Sequence, residues 1–141
     1  MFVNRRTIKI EWGDCDPAGI VFYPRYFAFF DASTHELFGA AGYPKPEMIR
    51  VYDIVGTPMV DTRARFLIPS AFGDEIVIET RISEFRRSSF DVEHKVYKGD
   101  KLAIEAWETR VWTGRDPADP ARLKSRPIPE EIVRRLSEGA P

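Results

Sequence analysis

Trp12-Gly13-Asp14-Cys15-Asp16-Pro17-Ala18-Gly19-Ile20-Val21-Phe22-Tyr23-Pro24 is the stretch whose reading decides the fold. Before it, Val3 to Glu11 alternates, with Thr7, Lys9 and Glu11 set between Ile8 and Ile10, and this predicts a strand. After it, Arg25 to Ala41 has helical spacing, with Phe27, Phe30, Thr34, Leu37 or Phe38, and Ala41 on one face. Pro24 suits the first helical position, where its missing N–H is no loss and its fixed φ is already helical. Gly39, Gly42, Pro44 and Pro46 end the helix. The joining segment holds two carboxylates one residue apart, glycines and a proline. That composition marks a loop fixed in one shape between rigid elements, a common place for chemistry.

Most of the remaining chain reads as strands. Glu47 to Asp53 is a short helix or an irregular connection, and Val55-Gly56-Thr57-Pro58 is a turn or a bulged strand start. Strands are predicted over Val60–Ile68, Glu75–Phe85, Phe90–Tyr97 and Leu102–Thr113. In the second of these Ile76, Ile78, Thr80 and Ile82 share a face; in the third, Phe90, Val92, His94 and Val96 do. Pro69 to Asp74 and Lys98-Gly99-Asp100-Lys101 are turns. Arg115 to Pro129, with Pro117, Pro120 and Pro127 inside it, reads as a surface connection. Pro129 to Glu138 reads as a short helix on Ile132, Val133 and Leu136. One strand, one long helix and four strands in hairpin-like succession predict an α+β domain over residues 1–141, an antiparallel sheet curled around one helix. Such a sheet has open edges, so dimerisation through an edge is expected.

A formal net charge of -1 gives no global field, and neither nucleic acid nor a membrane is an expected partner. The single cysteine, Cys15, can form no intrachain disulfide and no run is long enough to span a bilayer, so the expected location is the cytoplasm. Asp14 and Asp16 lack an evident third ligand nearby, so no metal is expected. Taken alone, an Asp-x-Asp pair shapes a turn more often than it reacts. Asp31 and His35 lie four apart and form either an acid/base pair or an ordinary helical pair. His94 reads as a packed core histidine, and Cys15 as a small loop filler. Arg86-Arg87-Ser88-Ser89 is either a solvated edge or a phosphate-holding segment. Arg122, Lys124 and Arg126 read as a solvated connection. Gly56-Thr57-Pro58 is a structural bulge or a place where substrate approaches backbone.

Gly13 through Pro24, followed by an aromatic-rich helix that contains Asp31, resembles the signature of the 4-hydroxybenzoyl-CoA thioesterase family of hotdog-fold proteins. The likeness continues in Ile54-Val55-Gly56-Thr57-Pro58 and Phe85-Arg86-Arg87-Ser88-Ser89-Phe90, and covers roughly residues 5 to 112. Pro17 makes the loop more similar to that branch than to the short-chain acyl-CoA thioesterases associated with the Tol-Pal system. The resemblance implies a hotdog fold and hydrolysis of an aromatic or otherwise compact acyl-CoA to CoA and a carboxylic acid. It implies no cofactor, CoA being part of the substrate. It implies a homodimer with sheets joined edge to edge, often paired into a homotetramer, with active sites at the subunit interface. Asp16 would be the catalytic carboxylate, attacking the carbonyl or deprotonating water. The Tyr23 backbone N–H, at the helix start, would polarise the thioester carbonyl. Asp31, Gly56 and Thr57 would contact substrate. Arg86, Arg87, Ser88 and Ser89 would lie near the nucleotide and phosphates of CoA, with Ser88 standing where related sequences often carry a Lys. Two other readings are a hotdog hydratase or dehydratase, which needs an acid and a base across the pocket, and a non-catalytic acyl-CoA-binding module.

Overall fold

The computed structural model describes residues 1–138. Strand β1 (Val3–Lys9) leads through a single 3-10 turn (Trp12–Asp14) and a short loop into helix α1 (Tyr23–Ala40). Helix α2 (Lys45–Tyr52) follows, then strands β2 (Met59–Phe66), β3 (Glu75–Phe85), β4 (Ser89–Lys98) and β5 (Lys101–Val111). A hairpin of β6 (Thr113–Asp116) and β7 (Asp119–Ser125) precedes helix α3 (Glu130–Ser137). The large sheet is antiparallel throughout, in the order β1-β3-β4-β5-β2. None of the helices is long and apolar enough to cross a membrane.

Helix α1 begins two residues earlier than its spacing indicates, with Phe22 as N-cap and Pro24 at the second position. It ends at a glycine: Gly42 takes φ 100°, and the Tyr43 N–H reaches back to the Phe38 carbonyl at 2.8 Å. Its buried face is Tyr26, Phe30, Ser33, Thr34, Leu37 and Phe38. Phe27, predicted to be inward, is only partly buried, because the buried stripe runs through Tyr26, Phe30, Ser33 and Leu37 and leaves Phe27 at its side.

The face presented to α1 follows from strict alternation. Ile76, Ile78, Thr80 and Ile82 of β3, and Phe90, Val92, His94 and Val96 of β4, are all buried as predicted. On β5 the inward set is Ile104, Ala106, Glu108 and Arg110. Two apolar clusters result. One gathers Ile10, Val21, Tyr26, Phe30, Ile76 and Ile104 beside the Asp-rich loop. The other gathers Phe2, Leu37, Phe38, Phe90, Trp112 and Leu136 at the opposite end, where α3 closes the core. Each fully buried Leu or Phe here contributes about 1.5–3 kcal/mol. Buried Ser33, Thr34, Thr80, His94, Glu108 and Arg110 supply the polar part of the same packed face.

The Arg115–Pro129 segment, read as a surface connection, carries most of the β6–β7 hairpin. Its charges and prolines mask a strand signal, and β7 is exposed along its whole length, so no apolar alternation marks it. Glu47–Asp53 resolves into most of α2, capped by Asp53 at φ 51°.

Candidate active site

The Asp-rich loop gives its two aspartates opposite environments. Asp14 is buried. Its Oδ2 accepts the Glu11 N–H at 2.9 Å, and its Oδ1 accepts Arg25 Nε and Nη2 at 3.2 and 3.0 Å. The Asp14 carbonyl accepts the Phe22 N–H at 2.8 Å. Asp14 therefore ties the exit from β1 to the entry of α1, the loop-shaping role its position implies.

Asp16 sits at the tip. Its backbone closes a tight turn, accepting the Gly19 N–H at 2.9 Å and donating to the Ile20 carbonyl at 3.0 Å. Gly19 takes φ 84°, a left-handed conformation that favours glycine. One side-chain oxygen, Oδ1, accepts the Ala18 N–H at 2.9 Å. The other has no hydrogen-bond partner among the described residues, and Asp16 lines a cleft of about 280 Å³ with Trp12, Cys15, Pro17, Gly19 and Phe72. Trp12 and Phe72 meet edge to face across it, their ring centres 5.7 Å apart. The Cys15 thiol points back to the Glu11 carbonyl at 3.7 Å, as a loop filler would.

Tyr23 is the first residue of α1, so its N–H has no acceptor within the helix. Pro24 has no N–H to offer, and the Arg25 N–H is bonded to the Phe22 carbonyl at 2.8 Å. Among the described residues the Tyr23 N–H has no acceptor, which leaves it as the open amide at the positive end of α1. It lines an apolar cavity of about 170 Å³ with Ile20, Val21, Phe66, Leu67 and Pro69.

Asp31, Gly56 and Thr57 do come together. They line a cleft of about 320 Å³ with His35, Lys45 and Arg110. Gly56 takes φ 154° where its chain bridges to Thr113, at the wall of this cleft. Asp31 Oδ1 accepts Arg110 Nη2 at 2.8 Å, and Asp31 Oδ2 lies 3.8 Å from His35 Nδ1. Burial holds the His35 imidazolium below its ordinary pKa of 6.5, outweighing the pull of Asp31. Within this chain, Asp16, Tyr23 and Asp31 line three separate clefts.

The Arg86–Ser89 segment forms the β3–β4 connection. Arg86 is engaged by Asp91 through both Nη atoms, by Glu84 at 3.0 Å and by the Ser89 hydroxyl at 2.8 Å. The backbone carbonyls of Arg87 and Ser88 accept the N–H groups of Ile128 and Trp112. The Arg87 side chain is exposed and makes no hydrogen bond among the described residues.

Four further residues lie at or behind the Asp31 cleft: Glu108 and Arg110, which were not singled out from sequence, and Thr34 and Thr80, which were read only as members of inward faces. Arg110 donates from Nε to Glu108 Oε1 at 2.8 Å and from Nη1 to the Thr57 carbonyl at 3.1 Å. Glu108 Oε1 also accepts the Thr34 hydroxyl at 2.8 Å, and its Oε2 lies 3.0 Å from His94 Nε2. His94 Nδ1 meets the Thr80 hydroxyl at 2.8 Å, and the ring stacks on Phe30. Burial alone would raise the Glu108 pKa, but the bonds to His94 and Arg110 prevail and hold it below its ordinary value. The signal for Glu108 and Arg110 was in β5, where they share parity with the buried Ile104 and Ala106. His94 is the core histidine it was read as, fully enclosed, and so cannot reach a substrate.

Residues 10–136 match the model of the thioesterase-like superfamily. The chain is 37% identical to the 4-hydroxybenzoyl-CoA thioesterase of Pseudomonas sp. (strain CBS-3) over 131 residues, covering 89% of this chain and 91% of that one. It superposes with a TM-score of 0.86 on a 4-hydroxybenzoyl-CoA thioesterase carrying an Asp-to-Asn substitution and complexed with 4-hydroxybenzoyl-CoA, at 34% identity over 95% of this chain and 98% of that one. A gentisyl-coenzyme A thioesterase gives a TM-score of 0.81 at 30% identity, covering 96% of this chain and 100% of that one. The fold they share is the hotdog fold expected from the sequence.

Proposed function

The chain belongs to the thioesterase-like superfamily as an acyl-CoA thioesterase, and from that premise we propose that it hydrolyses an aromatic, 4-hydroxybenzoyl-CoA-like thioester to CoA and a carboxylic acid. The observation that carries the reading is the Asp16 carboxylate. Asp14 anchors the loop beneath it, one Asp16 oxygen is fixed by the Ala18 N–H, and the other is open. In this reading the open oxygen attacks the thioester carbonyl, or takes a proton from the water that does. The negative charge that develops on the carbonyl oxygen is met by the Tyr23 N–H at the start of α1. CoA leaves as a thiolate, and water completes the carboxylic acid. Asp31, Gly56 and Thr57 serve the acyl side of the substrate, and Arg87, with Ser88 and Ser89, the phosphates. Arg86 holds the shape of that segment. The three clefts are joined by a second copy of the chain, with the sheets meeting at an edge in a dimer and two dimers forming a tetramer. Enzyme and product require no metal or cofactor in this scheme.

The test is CoA release from benzoyl-, hydroxybenzoyl-, phenylacetyl- and short aliphatic CoA thioesters, with Asp16→Ala beside the parent. The parent is expected to favour the aromatic thioesters. The variant is expected to lose about 10²–10⁴-fold in kcat while still binding CoA. Equal turnover by the two proteins would overturn the role of Asp16. A parent preference for aliphatic thioesters would overturn the acyl assignment.

A further inference from the structure

We infer that Arg110 is a positioning residue for the Asp31 cleft, and that a chain of buried side chains reaching back to Thr80 holds it in place. Arg110 is 3% exposed, yet all three of its guanidinium nitrogens are used. Nη2 holds the Asp31 carboxylate on α1 and Nη1 holds the Thr57 carbonyl ahead of β2, so one planar group ties two walls of the same cleft together. Nε is held from behind by Glu108, which is fixed by Thr34 and His94, and His94 by Thr80. The chain of contacts therefore runs from β3 across β4 and β5 to α1 and the Gly56–Thr57 segment.

Stability alone is a weak reason for such an arrangement. Taking charges out of water costs several kcal/mol per ion, and apolar residues of similar volume often do as well or better. What a buried guanidinium supplies is geometry. Its fork is rigid, so Asp31 and Thr57 are held at a fixed spacing and angle, which a flexible ammonium does not reproduce. Asp31 is the member of the set that faces outward, with its side chain half-exposed while that of Arg110 is enclosed. Because Arg110 holds Asp31 Oδ1 and His35 Nδ1 lies 3.8 Å from Oδ2, the carboxylate is oriented before substrate arrives.

The inference rests on the reading of this cleft as part of the acyl-CoA site. Turnover by the parent tests that reading; the comparison among variants tests Arg110. The variants are Arg110→Lys, Asp31→Asn and the double substitution, assayed for kcat and KM on the thioester the parent hydrolyses best, with melting curves alongside. Arg110→Lys keeps the charge and loses the fork. It is expected to lower kcat/KM about tenfold at a retained cooperative melt, and the double variant is expected to be within about twofold of Asp31→Asn alone. Full multiplication of the two single effects, or unchanged kcat/KM in Arg110→Lys, would overturn the inference, because a residue that only supports the fold has no reason to act through Asp31. If Arg110→Lys does not fold, the proteins to compare are the parent and Asp31→Asn, by 15N NMR of arginine side chains. Protected Arg110 Nη signals that lose protection on Asp31→Asn support the clamp, and signals unchanged by the substitution overturn it.

Discussion

Asp14 and Asp16 show how far one residue's environment depends on its neighbours rather than its type. Both are aspartates of one short loop, yet Asp14 spends both oxygens on Glu11 and Arg25, whereas Asp16 keeps one oxygen open. The histidines divide in the same way: His94 is locked between Thr80 and Glu108, while His35 lines a cleft. His35 also carries a pH consequence. Burial, the largest influence, lowers its pKa in the folded chain from the ordinary 6.5. The unfolded chain then binds the proton more readily than the folded one, so stability is lost as pH falls below 6.5 and levels off once pH passes the lower folded value. Glu108 has the carboxylate version of the effect: its stabilisation is present above 4.5 and is lost as pH falls through its depressed folded pKa. Urea midpoints taken between about pH 7 and 5 should fall for the parent and fall less for His35→Gln, since only the parent has this proton to bind. Equal slopes would rule out His35 as the group responsible.

At the scale of elements, the β3–β4 connection separates two arginines that sequence presents as a pair. Arg86 is bound to Asp91, Glu84 and Ser89 and fixes the turn, while the Arg87 side chain is unengaged among the described residues. If Arg87 serves the phosphates of CoA, Arg87→Ala removes a charge-assisted bond of about 1.5–3 kcal/mol at most. KM for the thioester should then rise about tenfold with kcat little changed, and the melting temperature should stay near that of the parent. A KM that does not move would exclude Arg87 from phosphate binding. Helix α1 shows a different division of labour. Tyr26 and Phe30 pack one end of the core and Leu37 and Phe38 the other, and Ser33 and Thr34 lie in between. A helix with that pattern fits only where the sheet also presents polar groups, which pins α1 to one register over Thr80, His94 and Glu108.

For the molecule as a whole, the sheet ends at β1 on one side and β2 on the other. Strand β2 is exposed over most of its length although it carries Val60, 63% exposed, and Phe66, 47% exposed. An open edge that exposes Val60 and Phe66 among Asp61, Arg63 and Arg65 is a surface that pairing with a second copy would cover. Sedimentation should therefore show a dimer or tetramer, and Val60→Asp should shift the equilibrium toward monomer and reduce turnover at low protein concentration; a monomeric, fully active parent would refute the assembly. The local determinants were legible in the sequence. Period-two alternation identified β3 and β4, three-and-four spacing identified α1, and the Gly13–Pro24 motif with its two aspartates identified the family and the loop, because each of these signals is carried by residues close together in the chain. Hairpin β6–β7 was not legible, since an exposed strand needs no apolar alternation. The Arg110 clamp was not legible either. Its members, at positions 31, 34, 57, 80, 94, 108 and 110, are far apart along the chain, and only the antiparallel register and the packing of α1 bring them within hydrogen-bond distance. Sequence determined which residues face inward; tertiary structure decided which of them meet, because burial is set by local periodicity whereas a hydrogen bond requires two distant segments to be placed to within a fraction of an ångström.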